Sequence, residues 1–317
     1  MQYLTLPFFD KLQQAQNILL AGAGGGYDIF CGLPLYFGLR AAGKQVHLAN
    51  LSFSFLPPLK EQFSPFIQKV TAQTPLLIDY FPELFLCQWF KQTQKEEVPI
   101  YCFHSMGVKT LVENYRLLVN ELSLDTIILV DGGTDSLMKG DEFGLATPEE
   151  DISHIAAVNE LNIQQKILTC LGFGIDHFHG ICHAHFLKGV AELIQSGGYL
   201  GMFSLVKEMP EVQKYQEASE FVFRSMPQHI SIVSSSILSA IEGHYGDYHA
   251  TPRTSGSRLW INPLMSIYWC FQLEKVAQRI LYLEELKQTA NHREVKTVIR
   301  TFRNQCRTIQ KWESIPV

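Results

Sequence analysis

The chain has 317 residues, of which 46% are hydrophobic and 18% are charged, with a formal net charge of −5 at pH 7. That hydrophobic content is enough for a sizeable core, and the low charge excludes wholesale disorder and long coiled coils. The acidic balance argues against a broad nucleic-acid-binding surface, because such surfaces are basic.

Short apolar runs separated by helical patterns predict the strands of a parallel sheet. The runs cover 17–21, 45–50, 99–103, 126–130, 166–171 and 198–204. Strands that alternate with helices are typical of an α/β protein whose sheet is covered by helices on both faces. We therefore expect a Rossmann-like, mostly parallel sheet within 17–205.

Helical patterns fill the intervals and dominate the last third of the chain. They cover 7–16, 29–42, 83–94, 108–121, a helix that opens at 147–151, 216–225, 231–242, 264–287 and 293–311. The stretch 55–82, rich in proline and aromatic residues, predicts an irregular excursion over the sheet. Because no Gly-, Ser- or Pro-rich linker interrupts the chain, we expect a single α/β domain over 1–317, with a mainly helical C-terminal portion over 215–311.

The N-terminus and the cysteines indicate the cellular compartment. No basic region followed by an apolar region opens the chain, and the most apolar stretch, 17–40, is broken by glycines, an aspartate and a proline. The seven cysteines form no CxxC motif, which favours buried, reduced thiols. We expect a cytoplasmic protein without a membrane segment.

The glycine-rich turn after the first strand, GAGGGYD over 22–28, is the first candidate site. Glycines allow a phosphate or carboxylate to approach the backbone, and a helix N-terminus favours anions. The predicted ligand-binding residues are Gly22, Gly24, Gly25, Gly26 and Asp28. Tyrosine stands where the dinucleotide pattern needs its last glycine, and no Walker lysine follows. The alternative is a tight turn without a ligand, in which Asp28 caps the helix.

The acidic segment after the fourth predicted strand, DGGTD at 131–135 through GDE at 140–142, is the second candidate. Ligands of open α/β sheets bind beyond the carboxyl ends of the strands, and clustered carboxylates suit Mg²⁺. We predict that the metal ligands are Asp131, Asp135 and Glu142. Asp141 would act as general acid or base, and the backbone that turns against the ligand comprises Gly132, Gly133 and Thr134. The alternative is a loop of solvated acids.

Four histidines within 177–185 form the third candidate. On a helix, Asp176, His179 and His183 would share one face. We predict that Asp176 and His179 are catalytic, because a histidine titrates near neutral pH. The alternatives are a zinc site at His179 and His183, and ordinary packing histidines.

Two arginines in the C-terminal half form the fourth candidate. Arg253 and Arg258 flank small hydroxyl residues in the sequence RTSGSR. This pattern suits an anion such as phosphate, and the alternative is a solvated loop.

These segments together resemble the family catalogued as domain of unknown function 1152. The resemblance is carried by GAGGGYDIFCGLPLYFGLRAAGK, VDGGTDSLMKGDEFGLATPEED, LGFGIDHFHG and INPLMSIYWCF, which span about 21–271. It implies one domain over most of the chain and brings no catalytic residues with it, because the family has no established activity.

The candidate segments favour an enzyme that acts on a small anionic metabolite, such as a nucleotide or a phosphosugar. Three of them follow strands that a doubly wound sheet places side by side, so they would converge on one cleft. The expected reaction is hydrolysis or group transfer assisted by a divalent cation, with Mg²⁺ expected.

Three other functions compete with this one. A non-catalytic nucleotide or metabolite sensor would use the same pocket. An NAD(P)-dependent oxidoreductase is disfavoured, because Asn50 stands where an acid would hold the ribose. A structural subunit would carry vestigial motifs. The apolar surface of the predicted C-terminal helices leaves a homo-oligomer open.

Overall fold

A computed structural model describes residues 4–56 and 62–315 of the protein. Its centre is one nine-stranded sheet with the strand order β3-β4-β5-β2-β1-β6-β7-β9-β8. The strands are β1 (Asn17–Gly22), β2 (Gln45–Leu51), β3 (Gln62–Ser64), β4 (Ile67–Val70), β5 (Ile100–Phe103), β6 (Thr126–Asp131), β7 (Gln165–Leu171), β8 (Tyr199–Ser204) and β9 (Ile267–Gln272). Neighbours from β5 to β7 pair in parallel, which confirms the predicted mixed α/β fold with a mostly parallel sheet.

Helices cover both faces of this sheet. They are α1 (Pro7–Gln14), α2 (Asp28–Cys31), α3 (Leu33–Ala41), α4 (Pro82–Trp89), α5 (Val108–Glu121), α6 (Pro148–Asn159), α7 (His183–Gln195), α8 (Pro210–Ser225), α9 (Ile232–Ile241), α10 (Leu273–Ala277), α11 (Leu283–Leu286) and α12 (His292–Gln305). None of the helices in the described ranges is both long and apolar enough to cross a bilayer.

The central strands are buried on both faces. In β1, Ile18 and Leu20 pack into one apolar core with α3, α4 and α8. Leu19 and Ala21 pack into a second core with α5, α6 and α7. This two-sided burial explains why the strand reads as a continuous apolar run instead of an alternating one.

The C-terminal portion differs from the prediction. Instead of a helix over 264–287, residues 267–272 form β9, which lies between β7 and β8 and is antiparallel to both. Its residues Tyr268, Trp269, Cys270 and Phe271 are all buried. A short apolar run without a clear period suits a buried helix or a buried strand equally well, and pairing with β7 and β8 decides between them. The sheet therefore extends well beyond residue 205.

The predicted irregular excursion over 55–82 also contains regular structure. Strands β3 and β4 pair antiparallel, and β4 extends the sheet antiparallel to β5. Residues 57–61 of this stretch lie outside the described residues. The sequence predicts buried thiols, and six of the seven cysteines are buried, whereas Cys306 is only partly buried.

Candidate functional site

A cavity of about 320 Å³ lies where the parallel strands β1 and β6 end. From β1 the chain continues to β2 on one side, and from β6 to β7 on the other. Ligands of open α/β sheets bind at such a reversal of strand order. Several chain segments that are distant in sequence form its walls, and its acidic side chains are Asp28, Asp131, Asp135, Glu150, Asp151 and Asp176. We call it the acidic cavity.

Three of these carboxylates form a compact trio. Oxygen atoms of Asp28, Asp131 and Asp151 lie within 4.8 Å of one another. Asp28 begins α2, Asp131 ends β6 and Asp151 lies in the first turn of α6, so the sheet order and the position of α6 bring them together. Asp131 and Asp151 are only 2% and 3% exposed.

Not every carboxylate oxygen of the trio accepts a hydrogen bond. The Ser136 hydroxyl donates to Asp131 Oδ2 at 2.5 Å, and the Ser136 backbone N–H donates to the same atom at 3.3 Å. Asp151 Oδ1 is buried and accepts no hydrogen bond from any described residue. Burying a carboxylate oxygen without a hydrogen-bond donor costs free energy. A partner from outside the described residues would remove this cost.

The glycines of the site make room for these carboxylates. A Cβ atom on Gly24 would lie 2.7 Å from Asp151 Oδ2, and one on Gly132 would lie 2.8 Å from Asp28 Oδ1. The Gly24 N–H donates to Asp28 Oδ2 at 2.6 Å. The glycine turn therefore accommodates the protein's own acids.

The other predicted ligand-binding glycines lie outside the lining of the acidic cavity. A Cβ on Gly22 would meet Asn50 Oδ1 at 2.2 Å, and one on Gly133 would meet Asp176 Oδ2 at 2.5 Å. The Gly26 N–H already donates to the Leu51 carbonyl. Of the predicted turn residues, Gly24, Gly25, Asp28 and Gly132 line the cavity.

Thr134 also acts behind the cavity wall. Its backbone N–H donates to Asp176 Oδ2 at 2.6 Å and its hydroxyl to the same atom at 3.3 Å. These two bonds orient the Asp176 carboxylate, which lines the cavity. Thr134 thus positions a predicted catalytic residue without lining the site itself.

Burial and mutual repulsion raise the pKa values of these acids. Burial raises the pKa of Asp28 to about 8, with a further contribution from Asp135. It raises the pKa of Asp135 to about 6, and that of Glu150 to about 7 with help from Glu149. Burial followed by neighbouring carboxylates also raises the pKa values of Asp131, Asp151 and Asp176.

Few positive groups balance this charge. Among the described residues that line the acidic cavity, the basic side chains are Arg253 and His179. Burial, followed by the charge of Arg253, lowers the pKa of His179, so its imidazole is neutral at pH 7. The cavity therefore holds excess negative charge that either protons or a bound cation must neutralise.

The predicted roles of Asp141 and Glu142 are not supported, because neither residue lines the cavity. Asp141 Oδ1 accepts a hydrogen bond from Gln310 Nε2 at 2.7 Å. Glu142 is 2% exposed and accepts from the backbone N–H groups of Lys139 at 3.0 Å and Gly140 at 2.8 Å. Arg303 donates to the Gly140 and Glu142 carbonyls, which holds this loop away from the site.

The predicted helix that joins the histidines is also wrong. A 3₁₀-helix, Ile175–His179, ends at Gly180, whose φ is +90°, and α7 begins only at His183. His179 therefore lines the acidic cavity, whereas His183 lines a different cavity. His179 and His183 therefore do not share a helix face, which was the geometric argument for a zinc site at this pair.

The two arginines separate in the same way. Arg253 lines the acidic cavity, and Arg258 lines the other one. They therefore do not form the single anion site that their spacing in the sequence suggested.

Sequence reasoning missed Asp151 and Glu150, which line the acidic cavity beside Thr147. The sequence TPEED at 147–151 predicts the start of a helix, and acids in a first turn are explained by the helix dipole alone. The feature that could have indicated a site is the number of acids: α6 carries Glu149, Glu150 and Asp151 in its first turn.

Comparison with protein families identifies the chain. The family described as protein of unknown function (DUF1152) matches residues 83–305, and the protein belongs to this family. The match includes the acids from Asp131 to Asp176 and Arg253, whereas the glycine turn and Asp28 precede it. A search of curated proteins found no match.

Proposed function

We propose that this protein is a divalent-metal-dependent enzyme that acts on a small anionic metabolite by hydrolysis or group transfer. The observation that carries the proposal is the trio of Asp28, Asp131 and Asp151, with oxygens within 4.8 Å of one another in the acidic cavity. Its ligands would be carboxylate oxygens alone, which is the donor set that Mg²⁺ and Mn²⁺ prefer.

Two further features support a cation at the trio. Asp151 Oδ1 is buried without a hydrogen-bond donor among the described residues, and a cation would satisfy it. The raised pKa values mean that the cation would replace protons held by the acids, so its binding would release protons. A divalent cation in such a site polarises a phosphoryl or carbonyl oxygen, or lowers the pKa of water.

The substrate's anionic group would lie between the cation and Arg253. The Arg253 side chain is exposed, and one nitrogen, Nη1, donates to the Ile230 carbonyl at 3.0 Å. Its remaining N–H groups suit a phosphate. The N–H groups of Gly24 and Gly26 already have acceptors, which favours this arrangement over binding by the glycine turn.

His179 would move the proton. Its neutral imidazole lines the same cavity as Asp176 and Arg253, and the unprotonated nitrogen can accept a proton. Asp176 and Asp135 would support the cation or the attacking group.

The strand order supports the finer description of the fold. The parallel strands run β5-β2-β1-β6-β7, which is the order 3-2-1-4-5 of a Rossmann-like sheet. We therefore extend the proposal to a Rossmann-like protein whose ligand lies at the reversal between β1 and β6. The buried free thiols support a reducing, cytoplasmic environment.

Calorimetric titration with MnCl₂ tests the metal site. We expect wild type to bind Mn²⁺ with release of protons, and Asp131→Asn and Asp151→Asn to bind it at least about tenfold more weakly, a difference of about 1.4 kcal/mol. Asp141→Asn is the matched control, because this acid lies outside the cavity. Absence of Mn²⁺ binding to wild type, or equal affinity in all variants, would refute the metal site.

Turnover then separates an enzyme from a sensor. Phosphate release would be followed for nucleotides and sugar phosphates with Mn²⁺ and with EDTA. We expect release that requires the metal and falls in His179→Gln. Metal and ligand binding with the ligand returned unchanged would overturn the enzymatic part of the proposal.

A further inference from the structure

A second cavity, of about 480 Å³, shares two of its walls with the acidic cavity. The 3₁₀-helix Ile175–His179 contributes His177 to this cavity and His179 to the acidic one. The segment 245–264 likewise contributes Arg258 here and Arg253 there. The volume is within the usual range for a small-molecule site. We call it the aromatic cavity.

One wall consists of exposed aromatic rings. Tyr245 is 70% exposed and Trp260 is 52% exposed, and their ring centroids lie 5.8 Å apart. Both side chains line the cavity, as does the buried ring of Phe173. Such rings offer flat apolar surface to a planar ligand.

Hydrogen bonds fix the backbone from which the two exposed rings project. Gly246 and Ile261 exchange two hydrogen bonds, at 2.8 Å and 2.9 Å, directly beside Tyr245 and Trp260. The Asn262 side chain donates to the Trp260 carbonyl at 3.1 Å and accepts from the Leu264 N–H at 3.0 Å. The backbone that carries the aromatic wall is therefore preorganised, which lowers the part of the entropy cost of binding that comes from ordering this loop.

The charged lining of the aromatic cavity has the opposite sign to that of the acidic cavity. Among the described residues that line it there is no carboxylate, and Arg258 is the fixed cation. The rings of His177 and His183 lie 4.9 Å apart. His177 Nδ1 and His183 Nε2 are buried and lack hydrogen-bond partners among the described residues.

We propose that the aromatic cavity binds a planar aromatic molecule that carries a phosphate or carboxylate. The planes of Trp260 and Tyr245 are 84° apart, so the ring of the ligand stacks on one of them and meets the other edge-on. Its anionic group pairs with Arg258. The histidine nitrogens supply further polar partners. This site rests on residues outside the metal trio, so it stands or falls separately from the proposed enzymatic activity.

Calorimetric titration of the full chain in EDTA tests the proposal with two probes, adenosine 5′-monophosphate and nicotinate. One carries a phosphate and the other a carboxylate, so the pair distinguishes the two anions. Adenosine and inorganic phosphate are the matched half-ligands. We expect saturable binding of at least one probe, about tenfold or more tighter than that of either half-ligand.

Variants then assign the binding to the aromatic cavity. Arg258→Ala and Trp260→Ala should each weaken it about tenfold or more, whereas Arg116→Ala, an exposed arginine on α5, should not. Asp151→Asn should also bind as wild type does. The proposal is overturned if neither probe binds more tightly than about 1 mM. It is equally overturned if Arg258→Ala and Trp260→Ala bind as wild type does, or if Asp151→Asn abolishes binding.

Discussion

The backbone N–H of Gly24 donates a 2.6 Å hydrogen bond to the carboxylate of Asp28. The donor comes from the turn whose glycines suggest an anion cradle, and the anion that it binds is a side chain of the protein. The same turn allows Asp151 to approach, because Gly24 has no Cβ. The glycine-rich turn after the first strand thus brings acids together, and for this reason the proposed function has a cation instead of an anion at this turn.

This relationship predicts the effect of Gly24→Ala. The added methyl group would lie 2.7 Å from Asp151 Oδ2 and 3.0 Å from Asp28 Oδ2, so the carboxylates must move apart. We expect Mn²⁺ affinity to fall about tenfold or more, measured by calorimetry. Gly38→Ala, on α3, is the control, because the nearest atom to the added methyl group, Glu211 Cγ on α8, would lie 3.9 Å away. Unchanged Mn²⁺ affinity in Gly24→Ala would show that the turn does not shape the site.

The raised pKa of Asp28 predicts how stability depends on pH. With its pKa near 8 in the folded protein, Asp28 keeps its proton where the unfolded chain has lost it. The folded state therefore binds more protons between about pH 4 and pH 8, and metal-free protein loses stability as pH rises through that window.

Asp28→Asn should remove this contribution. In EDTA, its Tm should fall less than that of wild type between about pH 5 and pH 8, measured by circular dichroism. Asp10→Asn, at an exposed position, should retain the wild-type slope. Parallel curves for Asp28→Asn and wild type would contradict the assignment.

A buried pair between α5 and α6 predicts an acid-sensitive contribution to stability. Tyr115 and His154 lie 2.6 Å apart, oxygen to Nδ1, and burial lowers the pKa of His154 to about 4. With its own proton on Nε2, the neutral imidazole accepts a hydrogen bond from the tyrosine hydroxyl. Because the unfolded chain binds a proton near pH 6.5, this contribution to stability is lost as pH falls from about 6.5 towards 4.

Tyr115→Phe should lower the free energy of unfolding by about 1–3 kcal/mol, because it leaves a buried nitrogen without a donor. Urea denaturation at neutral pH measures the loss. Tyr248→Phe, at an exposed tyrosine, should change little. An unchanged urea midpoint for Tyr115→Phe would argue against the bond.

The position of Glu142 predicts that its substitution lowers stability without changing metal binding. Its carboxylate accepts from two backbone N–H groups, of Lys139 and Gly140, away from the acidic cavity. The two N–H groups donate to different oxygens, so Glu142→Gln removes one of the two bonds and takes the charge from the acceptor of the other. We expect a loss of roughly 1–3 kcal/mol in the free energy of unfolding. Mn²⁺ affinity should stay at the wild-type value. A tenfold weaker affinity would return Glu142 to the metal site.

Most of the sheet follows from local sequence patterns. Strands β1, β2, β5, β6, β7 and β8 lie within one or two residues of the predicted runs, because central strands are short, apolar and bounded by turn residues. Strand β9 was not predicted. Its partners, β7 and β8, are distant in sequence, and its apolar run carries no period that excludes a helix.

The sequence by itself determined which chemistry the candidate segments offer: carboxylates at Asp28, Asp131, Asp135 and Asp176, an imidazole at His179 and a guanidinium at Arg253. The fold places all six in one cavity. The tertiary structure decided which neighbours join them. It brought in Asp151, excluded Asp141 and Glu142, and placed Arg258 and His183 in a second cavity. The reason is physical. A carboxylate in the first turn of a helix has the same local pattern whether solvated or buried, and only long-range packing of α6 against the strand ends buries it.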